Sequence, residues 1–223
     1  MSDQSEALTW RGGAIPVSTR FDDPYFSLEN GLEETRHVFL RGNALPDRFA
    51  PGFHIAELGF GTGLNLLAAW AAWEEAGMTA PLRFTSFERF PIPPDAMARA
   101  LAAFPALADR AARLTTAWAE DPGLSTLEGI EARVIIGDAR SALARQGWQA
   151  DAWFLDGFSP ARNPEMWEAP LMTQVAAHTK AGGTAATYTA AGFVRRNLEA
   201  AGFAVTRVPG FGRKRHMTTA RKG

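Results

Sequence analysis

A chain of 223 residues with 46% hydrophobic and 21% charged residues has the composition of one globular domain, and folding at that length buries roughly 70% of the unfolded surface. The absence of cysteine excludes disulfides, thiolate metal sites, iron–sulfur clusters and a cysteine nucleophile. With 23 basic and 24 acidic residues the net charge is -1, so the chain lacks the global excess that marks many nucleic-acid binders, and any RNA contact must use a local patch.

Met1 to Trp10 is polar and lacks the basic and apolar blocks of a signal peptide, and no apolar run approaches the ~20 residues of a membrane span; the expected location is the cytoplasm. Residues 1–50, rich in Gly, Pro and Asp, read as a hairpin or cap belonging to the domain that residues 51–223 form. From His54 onward, short β-like runs alternate with helix-like stretches, which predicts an α/β fold with a mostly parallel sheet. Strands are predicted at Phe53–Leu58, Arg83–Glu88, Arg133–Ile136, Ala152–Leu155 and Gly183–Thr189. Helices are predicted at Leu64–Ala76, at Asp95–Phe104 with Asp95 as N-cap, and at Gly192–Ala201. Two further strands, Ala204–Val208 and Arg215–Ala220, have no long helix between them and predict an antiparallel hairpin at the C-terminal sheet edge.

Gly59, Gly61 and Gly63 follow the first of these strands and open a helix, a turn that lets backbone pass close to a ligand beneath a helix N-terminus. Their G-x-G-x-G spacing differs from the G-x-G-x-x-G of dinucleotide binders, and Glu57 precedes them. Glu88 ends the second strand, Asp138 follows the third and Asp156 the fourth. Each is weak alone: a glycine turn can hold no ligand, and acids at strand ends are ordinary loop chemistry. Together, four carboxylates on one sheet edge repel one another unless a cation or several donors sit among them. A sulfonium cofactor carrying hydroxyls and an amine suits such an edge, and a phosphate-rich nucleotide suits it poorly. His37, His54, His178 and His216 show no metal-ligand spacing, and no metal is expected.

The chain resembles the methyltransferase half of the MnmC family of bifunctional tRNA wobble-uridine modification enzymes. The resemblance rests on Phe21–Ser27, Asn30–Arg36, Glu57–Asn65, Phe87–Pro91, Asp151–Phe158, Asn163–Trp167, Ala191–Arg196 and Gly210–Arg215, blocks that run from near one end to the other. Pro122 to Glu131 departs from the family pattern, and nothing is carried over there. The resemblance implies a class I (Rossmann-like) fold that binds S-adenosylmethionine through Glu57, Gly59, Gly61, Gly63, Asn65, Glu88, Asp138 and Asp156. It implies N-methylation of 5-aminomethyl-2-thiouridine at the tRNA wobble position, giving the 5-methylaminomethyl form. The sequence ends at Gly223 without the family's flavin-dependent oxidase half, so separate enzymes are expected to supply the aminomethyl substrate.

An alkylammonium has no lone pair, so the transfer needs a neutral amine held in line with the methyl group. Asp156 is the candidate catalytic residue, holding the amine and helping to remove its proton, with Phe158 and Trp167 walling the pocket and Tyr25 as a further wall. Core packing is the alternative for Phe158 and Trp167. Arg195, Arg196, Arg213, Lys214 and Arg215 are candidate tRNA contacts, with a solvated basic face as the alternative. Two other functions remain open: a methyltransferase or aminopropyltransferase acting on a small amine, and a non-catalytic cofactor-binding module.

Overall fold

A computed structural model describes residues 7–27, 30–127 and 129–223, and only the backbone of 124–126. The readings of Met1–Trp10 and Pro122–Glu131 therefore lie partly outside the described residues. Three short strands come first, β1 (Leu8–Arg11), β2 (Ile15–Ser18) and β3 (Asp23–Pro24), forming a small antiparallel sheet. A one-turn helix α1 (Gly31–Thr35) follows, capped where the Asn30 side chain accepts from the Glu33 amide, and it runs on into a π turn over Arg36–Leu40. Then come β4 (His54–Leu58), α2 (Leu64–Glu75), β5 (Leu82–Glu88), α3 (Pro94–Leu101), α4 (Ala108–Glu120), β6 (Leu124–Leu127), β7 (Ile130–Ile136) and the short α5 (Ala139–Ala142). The chain closes with β8 (Ala150–Leu155), α6 (Ala169–Ala177), β9 (Thr179–Thr187), α7 (Gly192–Ala200), β10 (Phe203–Pro209) and β11 (His216–Lys222).

The main sheet has the order β10-β11-β9-β8-β4-β5-β7-β6. Its centre, β9-β8-β4-β5-β7, is parallel, and the chain steps from β4 to β5 on one side and later returns to β8 on the other. That reversal opens a crevice beyond the carboxyl ends of β4 and β8, where ligands bind in open α/β sheets. Strand alternation supplies the two core layers. Ile55, Ala152 and Phe154 face the layer containing α2, whereas Ala56, Leu58, Trp153 and Leu155 face the layer containing α6 and α7. Both faces of these strands are covered, and β4 and β8 are accordingly buried nearly throughout.

The antiparallel C-terminal hairpin forms as expected, with Phe203 opposite Lys222 and Pro209 opposite His216, and β11 joins β9. Several details differ from expectation. Asp95 is not the N-cap of α3: Pro93 occupies that position with extended backbone and Pro94 starts the helix, a place where the missing proline N–H costs nothing. The third strand begins at Ile130 and gains an antiparallel partner, β6, so the sheet has an antiparallel edge at both ends. Helices α4 and α6 lie outside the predicted elements, and β9 lies earlier than expected, leaving Tyr188 and Thr189 beyond its end. Among the described residues no helix is long and apolar enough to cross a membrane.

Candidate active site

The turn after β4 brings backbone, rather than side chains, to the crevice. Gly59 has φ 83°, and a Cβ there would stand 3.0 Å from the Gly157 Cα. Gly61 has φ 56°, and its Cβ would meet the Tyr25 ring at 3.0 Å. Side chains at these points would therefore be strained in backbone and would collide with the opposite wall. The result is a cavity of about 690 Å³, large enough for a nucleoside-sized cofactor together with part of a second molecule.

Asn65, on the first turn of α2, organises the polar floor. Its Oδ1 accepts from the Thr35 hydroxyl at 2.9 Å, while its Nδ2 donates to Glu57 Oε1 at 2.8 Å and to Asp156 Oδ2 at 2.7 Å. One amide thus couples two carboxyls that would otherwise repel each other. Glu57 is 0% exposed and its other oxygen accepts from the Ser86 hydroxyl at 2.6 Å. Burial raises its pKa well above the ordinary carboxylate value, favouring the neutral form, and the Ser86 and Asn65 bonds only partly oppose this. Asp156 opens to the cavity and is also bonded by the Gly157 amide at 2.8 Å. Burial pushes its pKa up to about 6 against the opposing Asn65 and Gly157 bonds.

Glu88, at the end of β5, accepts from the Gly61 amide at 2.9 Å and the Phe90 amide at 2.8 Å, which ties the glycine turn to the neighbouring strand. Asp138 caps α5 and is held by Arg140 at 2.6 Å and Arg89 at 3.2 Å, and the Arg140 hydrogen bond lowers its pKa. The aromatic wall is built across the chain. Phe21 stacks on Phe158 at 4.6 Å, Tyr25 meets the same ring edge-on at 5.1 Å, and Asp23 accepts from the Ser159 amide at 2.8 Å. The small N-terminal sheet is thereby fastened to the loop beyond β8.

Of the expected cofactor residues, Gly59, Gly61, Asn65, Glu88, Asp138 and Asp156 line the cavity. Glu57 does not: it lies sealed beneath the floor and reaches the site only through Asn65. Gly63 does not line it either; it takes φ 78° as the N-cap of α2 and packs against Leu114. Tyr25 and Phe158 line the cavity, but Trp167, 1% exposed, belongs to the core and fixes the loop by donating its indole N–H to the Phe158 carbonyl at 3.1 Å. Of the expected tRNA contacts, Lys214 alone reaches the cavity wall. Arg195 and Arg196 sit on α7, away from it, and exposed Arg213 and Arg215 flank Lys214 in the turn between β10 and β11.

Sequence reasoning missed Glu34, Thr35 and Tyr188 as site residues. Glu34 and Thr35 lie within Asn30–Arg36, whereas Tyr188 falls in the strand predicted over Gly183–Thr189. Its ring lines the cavity and its hydroxyl donates to the Gly157 carbonyl at 2.9 Å; burial raises its pKa well above the ordinary phenol value, so it is neutral. Also missed were Arg20, Arg89, Arg140 and Arg162, all of which line the cavity.

Three comparisons bear on this geometry. The family described as "S-adenosyl-L-methionine-dependent methyltransferase" has a model that matches residues 105–223. Among curated proteins, the tRNA 5-methylaminomethyl-2-thiouridine biosynthesis bifunctional protein MnmC of Chromohalobacter salexigens is 47% identical over 94% of this chain and 32% of its own length. The protein of the same name from Ectopseudomonas mendocina is 49% identical over 97% of this chain and 35% of its own. The chain thus spans about a third of the length of the curated relatives it matches. Among solved structures, MNMC2 from Aquifex aeolicus superposes with a TM-score of 0.77 at 26% identity, covering 97% of this chain and 69% of that one.

Proposed function

This chain belongs to the S-adenosyl-L-methionine-dependent methyltransferase family, and from that premise we propose that it methylates the exocyclic amine of 5-aminomethyl-2-thiouridine at the tRNA wobble position, giving 5-methylaminomethyl-2-thiouridine. The observation that carries the reading is Asp156, a carboxyl fixed by Asn65 and Gly157 on the floor of an aromatic-walled cavity directly beside the glycine turn. The names of the curated relatives support the tRNA substrate.

The residues present fit the cofactor. Gly59 and Gly61 leave a cradle that a Cβ would fill, and Glu88 and Asp156 offer acceptors for hydroxyl and amine groups. Asn65 and Asp138 complete the set, with Glu57 and Gly63 contributing from behind the wall. S-adenosyl-L-methionine supplies, when bound, an electrophilic methyl on a sulfonium centre. The chain's own work is to hold a neutral amine in line with that methyl. Asp156 accepts hydrogen bonds from the amine and takes part in removing its proton, while Phe158, Phe21 and Tyr25 confine the uracil ring and exclude water. A base presented this way must leave its stack, and the phosphates beside it then lie near the cavity rim. Arg20, Arg89 and Arg162, which line the cavity, are the candidate contacts to those phosphates, with Arg213 and Arg215 as further candidates.

The test is nucleoside mass spectrometry after incubating the protein and S-adenosyl-L-methionine with tRNA that carries the aminomethyl group. The expected product is heavier by one methyl at the wobble nucleoside. With Asp156→Ala at saturating cofactor, turnover is expected to fall by a factor of about 100 or more. Equal turnover by parent and variant would remove Asp156 from the mechanism, and unmodified tRNA with the parent would reject the substrate.

A further inference from the structure

The amine-handling end of the cavity holds an ion pair that the proposed reaction leaves without a role. Glu34 on α1 is 12% exposed, and its Oε1 accepts from the Lys214 ammonium at 2.7 Å. The same ammonium stands 4.3 Å from the centre of the Tyr188 ring. Glu34, Lys214, Tyr188 and Asp156 all line the cavity, and Asp156 feels both members of the pair, Lys214 lowering its proton affinity and Glu34 raising it. Lys214 arrives from the turn between β10 and β11, which is also anchored where His37 lies 3.1 Å from the Pro209 carbonyl. The pair therefore joins the beginning of the chain to its end across the wall of the site.

Charge balance suggests what it does. An amine placed beside Asp156 and Glu34 alone would sit between two carboxylates, which favour the ammonium and so hold back the lone pair that must attack. A lysine bonded to Glu34 cancels one of those fields. We infer that Lys214, held by Glu34 against the Tyr188 ring, is a positioning residue that sets the protonation of the substrate amine, keeping it neutral at the pH of the reaction. The inference rests on the proposed N-methylation. The other ionisable groups around the pair are Asp23 from β3, Glu33 and Arg36 beside Glu34, His37 after α1, and Arg213 and Arg215 beside Lys214. Tyr188 itself is neutral, so its ring offers Lys214 a cation–π seat without adding charge.

The experiment follows kcat against pH at saturating tRNA and cofactor, because that profile reports ionisations within the bound complex. A neighbouring charge within about 4–6 Å moves a pKa by about 1–3 units, and the partial exposure of Lys214 points to the lower end. Lys214→Met is expected to move the acidic limb up by about one pH unit, with roughly tenfold slower turnover on that limb and little change at high pH. Lys214→Arg should keep the parent limb, and Lys214→Met combined with Glu34→Gln should return it. A second readout needs no turnover: calorimetry of aminomethyl-tRNA binding in two buffers of different ionisation enthalpy counts released protons. Lys214→Met should release fewer than the parent at the same pH.

If Lys214→Met lowers turnover equally at every pH, or keeps the parent limb and proton count, the inference is overturned while the methylation reading stands. A weakened tRNA affinity with a flatter salt slope and an unmoved limb would instead make Lys214 a phosphate contact, which also overturns it. No methylation of the amine by the parent would overturn both.

Discussion

Replacing Glu57 with Gln tests the buried acid without touching the cavity wall. Gln keeps both partners, since its carbonyl accepts from Asn65 and its NH2 donates to Ser86, whose hydroxyl can accept as readily as donate. What it removes is a proton linkage. The folded pKa of Glu57 lies above the unfolded value, so its full contribution to stability is present below about pH 4.5 and is lost as pH rises toward the folded pKa. In that window the unfolded chain ionises Glu57 and the folded chain does not, at about 1.4 kcal/mol for each pH unit. As pH rises above about 4.5 the parent should lose stability relative to Glu57→Gln until the folded pKa is reached, so the gap in melting temperature widens by up to roughly 3–5 °C per pH unit for a domain of this size. Asp156, raised to about 6, acts in the same direction over part of the range. His54, lowered by burial to about 4, acts oppositely, contributing stability above its unfolded value of 6.5 that is lost as pH falls through the window toward 4. Both are common to the two proteins and cancel in the difference. Thermal melts of both from pH 5 to 8 provide the measurement, and parallel curves would show that Glu57 is ionised in the fold.

Asn65→Leu removes three hydrogen bonds at once and leaves Glu57 and Asp156 each short of a donor; an unfolding loss of about 3 kcal/mol is expected from denaturant titration, and a loss below about 1 kcal/mol would contradict the hub role. Gly59→Ala forces a Cβ onto the Gly157 backbone at positive φ, so stability should fall by about 2–3 kcal/mol and cofactor binding, followed by calorimetry, should weaken at least tenfold. Unchanged binding would mean that the turn does not carry the cofactor. For tRNA, Arg20→Ala with Arg89→Ala should flatten the slope of log affinity against log salt by about 0.7–0.9 per lost contact, whereas Arg195→Ala with Arg196→Ala should leave it unchanged. The opposite ranking would place the RNA on α7.

Much of the sheet was legible because burial on both faces imposes a signature that survives in one dimension. Ala152–Leu155 is a continuous apolar run, and in Phe53–Leu58 only His54 and Glu57 interrupt one; such runs mark central parallel strands. The missed helices have weaker signals. In α4 only Ala111, Leu114 and Trp118 are buried, a narrow stripe within a polar, alanine-rich segment, and Pro164 in the loop before α6 and Pro170 in its first turn obscure where that helix starts. β6 is a short edge strand defined by its pairing with β7 and not by any pattern of its own.

The sequence by itself determined that strand ends carry Glu88, Asp138 and Asp156 and that a glycine turn opens the helix after β4, since both depend on neighbours along the chain. Which of these groups face a ligand was decided by tertiary structure. Glu57 and Asp156 are acids at the ends of adjacent parallel strands, yet the pleat and the Asn65 amide seal one beneath the floor and leave the other open to the cavity. Trp167 and Phe158 are neighbouring aromatics in sequence, and only the folding of their loop makes one a core residue and the other a wall. The Glu34–Lys214 pair joins residues that no local pattern connects, because the return of β11 beside β9 is what brings the end of the chain back to α1.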